Sequence, residues 1–355
     1  MYSLQSPRIR RQLCWWLSVC AIMVAVMVML GGAVRLTGSG LSMVDWQPIM
    51  GVIPPIGDTG WQAAFDQYKQ FPEYKLTKQG MSIAEFRFIF YMEYIHRILG
   101  RLLGLVFILP FVFFLFRGGL DGGLKARLLL LLLLGGCQGL MGWYMVQSGL
   151  VDNPYVSHYR LTAHLLLAVI IFGFMVRLLT RLSMCVRPAN KIPTPGKKFS
   201  GIAGLTVVAV LVMIATGGMV AGTRAGFIYN SWPKMGVEWI PDMVLAMDPW
   251  WKNFFENAIA IQFLHRWFAI AVAGLVILSG YQILRNDSRP LVHFLVIASF
   301  AAISVQVVLG ITTLIYKVPV VLGVLHQGGA LLVLASVIAL QAARGIAGSP
   351  KGRER

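Results

Sequence analysis

Eight stretches of roughly 20 or more largely apolar residues recur along this chain, and they constrain its fold more than any other feature. They run over about 13–33, 86–116, 128–148, 159–182, 200–222, 256–284, 291–315 and 320–343. At ~1.5 Å per helical residue each can cross a hydrocarbon core of about 30 Å. Only 13% of the 355 residues are charged, against about 25% in an ordinary soluble domain. That excludes a soluble globular enzyme, a disordered chain and a fibrous one. The expected class is an all-α membrane protein with eight transmembrane helices.

The net charge of +17 would suggest nucleic acid in a soluble protein. Here no nucleic-acid partner is expected, because the basic residues gather in short connections where they set topology against the lipid. Seventeen Lys and Arg fall on one side, among them Arg8, Arg117, Arg187, Arg285 and Arg353, and nine fall on the other, spread over longer loops. Both termini are therefore expected in the cytoplasm and the long loops 34–85 and 223–255 outside, in a multi-pass protein of the cell inner membrane. Trp46, Trp61, Trp232, Trp250 and Trp251 suit the interface, and 59–70 predicts a short surface helix. Arg8, Arg10 and Arg11 before an apolar run resemble a signal peptide, but no small-residue cleavage site follows, so a retained first helix is expected. Cys14, Cys20, Cys137 and Cys185 form no CxxC and indicate neither a disulfide framework nor a thiolate metal site.

The chain repeats itself. Gly31-Gly32-Ala33-Val34 resembles Gly217-Gly218-Met219-Val220, Tyr94-Ile95-His96-Arg97 resembles Phe263-Leu264-His265-Arg266, and Gln138 to Gly142 resembles Gln306 to Gly310. His164 has a looser partner in His326. The helix order is kept, so two pseudo-symmetric four-helix bundles are expected, 1–190 and 191–355, related by an axis along the membrane normal.

Four of the six histidines thus fall at matching places, on the second, fourth, sixth and eighth spans, at one expected depth. Ionisable side chains there are expensive and are functional candidates by default. One imidazole from each of two facing helices is what axial ligation of heme iron asks for, pairing His96 with His164 and His265 with His326. Zinc or copper would usually recruit further Cys, Asp or Glu. His158 and His293 have no repeat partner and are not expected to ligate. Arg97 and Arg266 suit heme propionates, since a guanidinium binds carboxylates as a fork. Glu93 breaks the symmetry: three residues before His96 stands a carboxylate, and three before His265 stands Gln262. A carboxylate can relay protons or stabilise developing positive charge, whereas an amide only hydrogen-bonds. This suggests a reactive N-terminal site and an electron-transferring C-terminal one. The Gly-rich segments after the first and fifth spans read as close helix packing and turns.

Glu93 to Arg97, Gly40 to Pro48, Asn230 to Met235, His265-Arg266 and His326 together resemble the heme A synthase family, over about residues 13–343. The likeness is to the alphaproteobacterial and mitochondrial form without a cysteine pair in the first outer loop. The resemblance implies an oxidoreductase of heme biosynthesis that oxidises the C8 methyl of heme O to a formyl group, giving heme A for cytochrome oxidase, with oxygen from water. It implies heme b as cofactor on His265 and His326, with Arg266. Substrate heme would be framed by His96, His164 and Arg97, with Glu93 catalytic beside the reacting methyl. An electron acceptor and the enzyme that makes heme O are the implied partners. A two-heme b-type electron carrier fits the four histidines equally well but has no need of Glu93. A heme or metal transporter would place polar residues through the full membrane depth, which this chain does not.

Overall fold

The computed structural model describes residues 6–44, 52–118, 120–151, 154–184 and 197–344. Asp45 to Pro48, Cys185 and the expected boundary between the two bundles lie outside the described residues. Among the described residues, eight helices are long and apolar enough to cross a membrane: α1 (Pro7–Leu36), α4 (Ile83–Arg117), α5 (Gly122–Gln147), α6 (His158–Met184), α7 (Lys197–Gly222), α8 (Ala258–Asn286), α9 (Pro290–Ile315) and α10 (Val320–Arg344). No strand appears among the described residues. The chain is an all-α membrane protein.

Most helices outrun the apolar stretches that predict them, because polar caps add turns that hydropathy does not register. Ser6 accepts from Ile9 N and starts α1 six residues early. Asp121 starts α5 at Gly122 rather than near 128. A reciprocal capping box between Ser82 and Glu85 starts α4. The surface helix expected near 59–70 is α2 (Gly57–Tyr68), followed by α3 (Pro72–Thr77). Trp61, Phe65 and Tyr68 of α2 pack on Phe86, Ile89 and Phe90 of α4. The second long loop holds three short 3-10 turns, Ala225–Phe227, Asp242–Leu245 and Trp250–Phe254, that the sequence does not announce.

Helix contacts follow the repeat. α1 packs on α4 and α6, and α7 packs on α8 and α10. α5 meets α4 and α6, as α9 meets α8 and α10. Between the two sets α1 meets α10, α6 meets α7, and α6 meets α10. The main apolar core, with Leu17, Phe111, Leu128, Leu178 and Leu334, fills the end of the bundle away from the long loops. Outward-facing Leu105, Leu109, Phe113, Leu133 and Ile297 are exposed, as lipid-facing residues should be.

Candidate functional site

At the loop end the four repeated histidines are held in the same way. A Cβ added to Gly31 of α1 would stand 3.2 Å from His96 Cε1, and one on Gly217 of α7 would stand 3.2 Å from His265 Cε1. The equivalent distances are 3.1 Å from Gly142 of α5 to His164 and 2.9 Å from Gly310 of α9 to His326. Each glycine stands five residues before the C-terminal end of its helix. All four imidazoles therefore lie at one level, ~7–8 Å inside those ends at 1.5 Å per residue. A side chain at any of the four positions would press its Cβ on an imidazole edge. The Gly-rich segments thus do more than pack helices: two of their glycines, with Gly142 and Gly310, are seats for the histidines. The signal was in the repeat, where each glycine recurs in register with its histidine.

His164 lies near enough to His96 for its charge to act there, and His326 stands likewise to His265, so the members of each expected pair are brought near one another. Gln138 and Gly142 share one face of α5 at i, i+4 spacing. Gln138 Nε2 lies 3.2 Å from His164 Nδ1 and donates to the His164 carbonyl at 3.1 Å. Gln306 repeats the arrangement on α9, 3.1 Å from His326 Nδ1. The other two histidines differ. Thr216 Oγ1 lies 2.9 Å from His265 Nδ1, whereas His96 Nδ1 is buried without a hydrogen-bond partner. His158 and His293 turn their Nε2 to the backbone carbonyls of Phe255 and Asp287, at 3.0 and 2.6 Å.

Glu93 is buried and saturated with donors. Its Oε2 accepts from Ser42 N at 2.8 Å, Ser42 Oγ at 2.7 Å and Met43 N at 2.9 Å. Its Oε1 accepts from Arg97, one turn on, at 2.5 Å. Arg97 also donates to the Met43 carbonyl at 3.0 Å. Gln262 and Arg266 bind the second loop in the corresponding way, both donating to the Tyr229 carbonyl, with Arg266 reaching Ser231 O at 2.9 Å as well. In each repeat, then, the residues three before and one after the histidine tie the loop to the helix. Arg266 Nε remains buried without a partner, and the side chain lines a cavity of about 40 Å³ with Trp232, Trp239 and Trp267.

The first loop carries a second buried polar group close by. Tyr68 OH donates to Glu73 at 2.9 Å, and Lys78 donates to the Gly38 carbonyl beside it. Burial pushes the Glu73 carboxyl above the usual carboxylate range, and the Lys78 ammonium and the Tyr68 hydroxyl pull it partly back.

No group of three or more His, Cys, Asp or Glu that could hold a bare metal ion occurs among the described residues. Two imidazoles per pair suit instead a metal that brings its own equatorial ligands, and the glycine seats and the open Arg266 donor fit a porphyrin with its carboxylates. The family described as cytochrome oxidase assembly protein matches residues 14–338. Proteins named heme A synthase are similar over nearly the whole length. That of Nitrosomonas eutropha is 42% identical over 91% of this chain and 91% of its own. That of Nitrosospira multiformis is 42% identical over 94% of each. That of Bradyrhizobium sp. (strain ORS 278) is 43% identical over 93% of this chain and 90% of its own.

Proposed function

The chain belongs to the heme A synthase family of cytochrome oxidase assembly proteins, and on that premise we propose how its residues divide the work. The protein is an oxidoreductase that converts heme O to heme A. The change from methyl to formyl takes up the oxygen of one water and releases four protons and four electrons. The electrons pass to an acceptor and the protons to water.

In this reading the N-terminal half, 1–190, receives substrate heme and the C-terminal half, 191–355, keeps a resident heme b. His96 and His164 hold the substrate iron, and His265 and His326 hold the resident one. Bound there, heme b supplies a one-electron relay. Arg266 offers its unpartnered Nε to a propionate, and Arg97 is the matching candidate on the substrate side. The observation that carries the proposal is the set of four duplicated imidazoles, each seated on a glycine at one depth.

Glu93 then acts through its charge. Four hydrogen bonds, one of them from Arg97, fix the carboxylate in place. It is a fixed negative charge at the rim of the substrate site, suited to stabilising positive charge that develops on the reacting carbon. Gln262 keeps the loop attached in the other half without that charge. A two-heme electron carrier would need no such difference. The excess of Lys and Arg supports cytoplasmic termini in the cell inner membrane, with the sites in the outer half of the bilayer.

The test is extraction and chromatography of hemes from cells expressing the chain with a source of heme O, beside Glu93→Ala and Glu93→Gln. Heme A from the parent, lost or stalled at a hydroxylated stage in the variants, is expected. Heme b alone, identical in all three, would overturn the reading.

A further inference from the structure

The two histidines that follow the repeated aromatic and aliphatic pair are seated alike but supported differently. Thr216 precedes the seat Gly217, and Leu30 precedes the seat Gly31. The Thr216 hydroxyl has one proton, and it donates that proton to the Met213 carbonyl at 2.8 Å, one turn back on α7. With that donation made, the same oxygen, 2.9 Å from His265 Nδ1, is free to accept. In that arrangement the His265 proton lies on Nδ1 and the Nε2 lone pair is left available, which is the form that ligates iron. Leu30 offers His96 nothing comparable, and His96 Nδ1 is buried without a partner.

We propose that Thr216 is a positioning residue that fixes His265 in the ligating tautomer and makes the C-terminal heme site the retentive one, while Leu30 leaves His96 a weaker, exchangeable ligand. The inference rests on the assignment of His265 and His96 as heme ligands. An acceptor on the far nitrogen orients an imidazole and raises its donor strength, and losing one typically costs 10–100-fold in metal affinity. A stronger donor also favours ferric over ferrous iron, which lowers the reduction potential. An enzyme that must release its product heme and keep its relay heme needs this difference between sites. The Gln138 and Gln306 contacts are common to both halves and cannot supply it.

The experiment uses the purified full-length protein with its resident heme. Thr216→Val keeps the shape and removes the acceptor. It is expected to transfer heme to apomyoglobin 10–100 times faster than the parent and to raise the midpoint potential of the retained heme, whereas Thr216→Ser matches the parent in both. Leu30→Thr is expected to slow heme release from the N-terminal site. Parent-like release and potential in Thr216→Val, with His265→Ala devoid of low-spin heme, would overturn the inference and leave the ligand assignment standing. Low-spin heme undiminished in His265→Ala would bring down the assignment itself, and the inference with it.

Discussion

Gly310→Ala is the sharpest test of how the imidazoles are held. The added Cβ would stand 2.9 Å from His326 Cε1, closer than real Cβ atoms approach a neighbour and short of the 3.4 Å at which ordinary contact begins. His326 must retreat by roughly 0.5 Å, or α9 and α10 must part by as much. Ligating groups need to sit within about 0.5 Å of their productive position. The loss of heme affinity should therefore reach the 10–100-fold expected when a ligand is disoriented. The assay is heme per chain and the low-spin absorption bands of the purified protein, with size-exclusion chromatography to show that it is folded. The other seats predict a graded series: Gly142→Ala at 3.1 Å, then Gly31→Ala and Gly217→Ala at 3.2 Å, each require a smaller retreat. Gly274 on α8 has nothing within 4 Å of an added Cβ, so Gly274→Ala is the matched control with no effect on heme. Parent-like heme content and bands in Gly310→Ala, or equal losses in Gly274→Ala, would refute the seating argument.

Glu93→Gln should cut heme A formation by about 10²–10³-fold, the usual loss when an electrostatic stabiliser is removed, while the C-terminal heme spectrum persists; undiminished product would remove Glu93 from the chemistry. Ser42→Ala deletes the hydroxyl 2.7 Å from Glu93 Oε2 and should cost about 1.5 kcal/mol in detergent unfolding, with an unaltered transition counting against the loop anchor. Glu73, raised by burial, keeps in the native state a proton that the unfolded chain has already lost. Stability should accordingly decline as pH rises from the ordinary carboxylate range through the higher native value, and Glu73→Gln should remove that slope; parallel pH profiles for parent and variant would refute it.

The spans were legible because lipid imposes a length and a composition that nothing else in a sequence imitates. Their starts were less so, since Ser6, Ser82 and Asp121 extend helices through local hydrogen bonds that leave no apolar trace. The equivalence of the four histidines was legible through the repeat, as was the contrast of Glu93 with Gln262. What Glu93 touches was not: Ser42 and Met43 lie about fifty residues away and reach it only when the first loop folds back over α4. Nor was the seating role of Gly31 and Gly217, because a glycine beside a helix reads as packing until the neighbour is known to be an imidazole.

Duplication itself narrows where the chemistry can differ. Both halves build the same frame: a glycine five residues from a helix end, an imidazole against it, and an arginine and a polar side chain drawing the loop down. Features present twice cannot make one site reactive and the other a relay. That distinction must come from the positions where the frame is shared and the side chain is not. Two such positions border the histidines. At one, a carboxylate faces an amide; at the other, Leu30 faces Thr216. The first changes the charge that a reacting carbon would feel, and the second changes how firmly an iron ligand is fixed. Replacing the N-terminal member of both pairs by its counterpart, Glu93→Gln with Leu30→Thr, should therefore give the N-terminal half the character of its partner, a site that retains heme and does not oxidise it. A double variant that still produces heme A at the parent's rate would mean that specialisation lies outside the repeat.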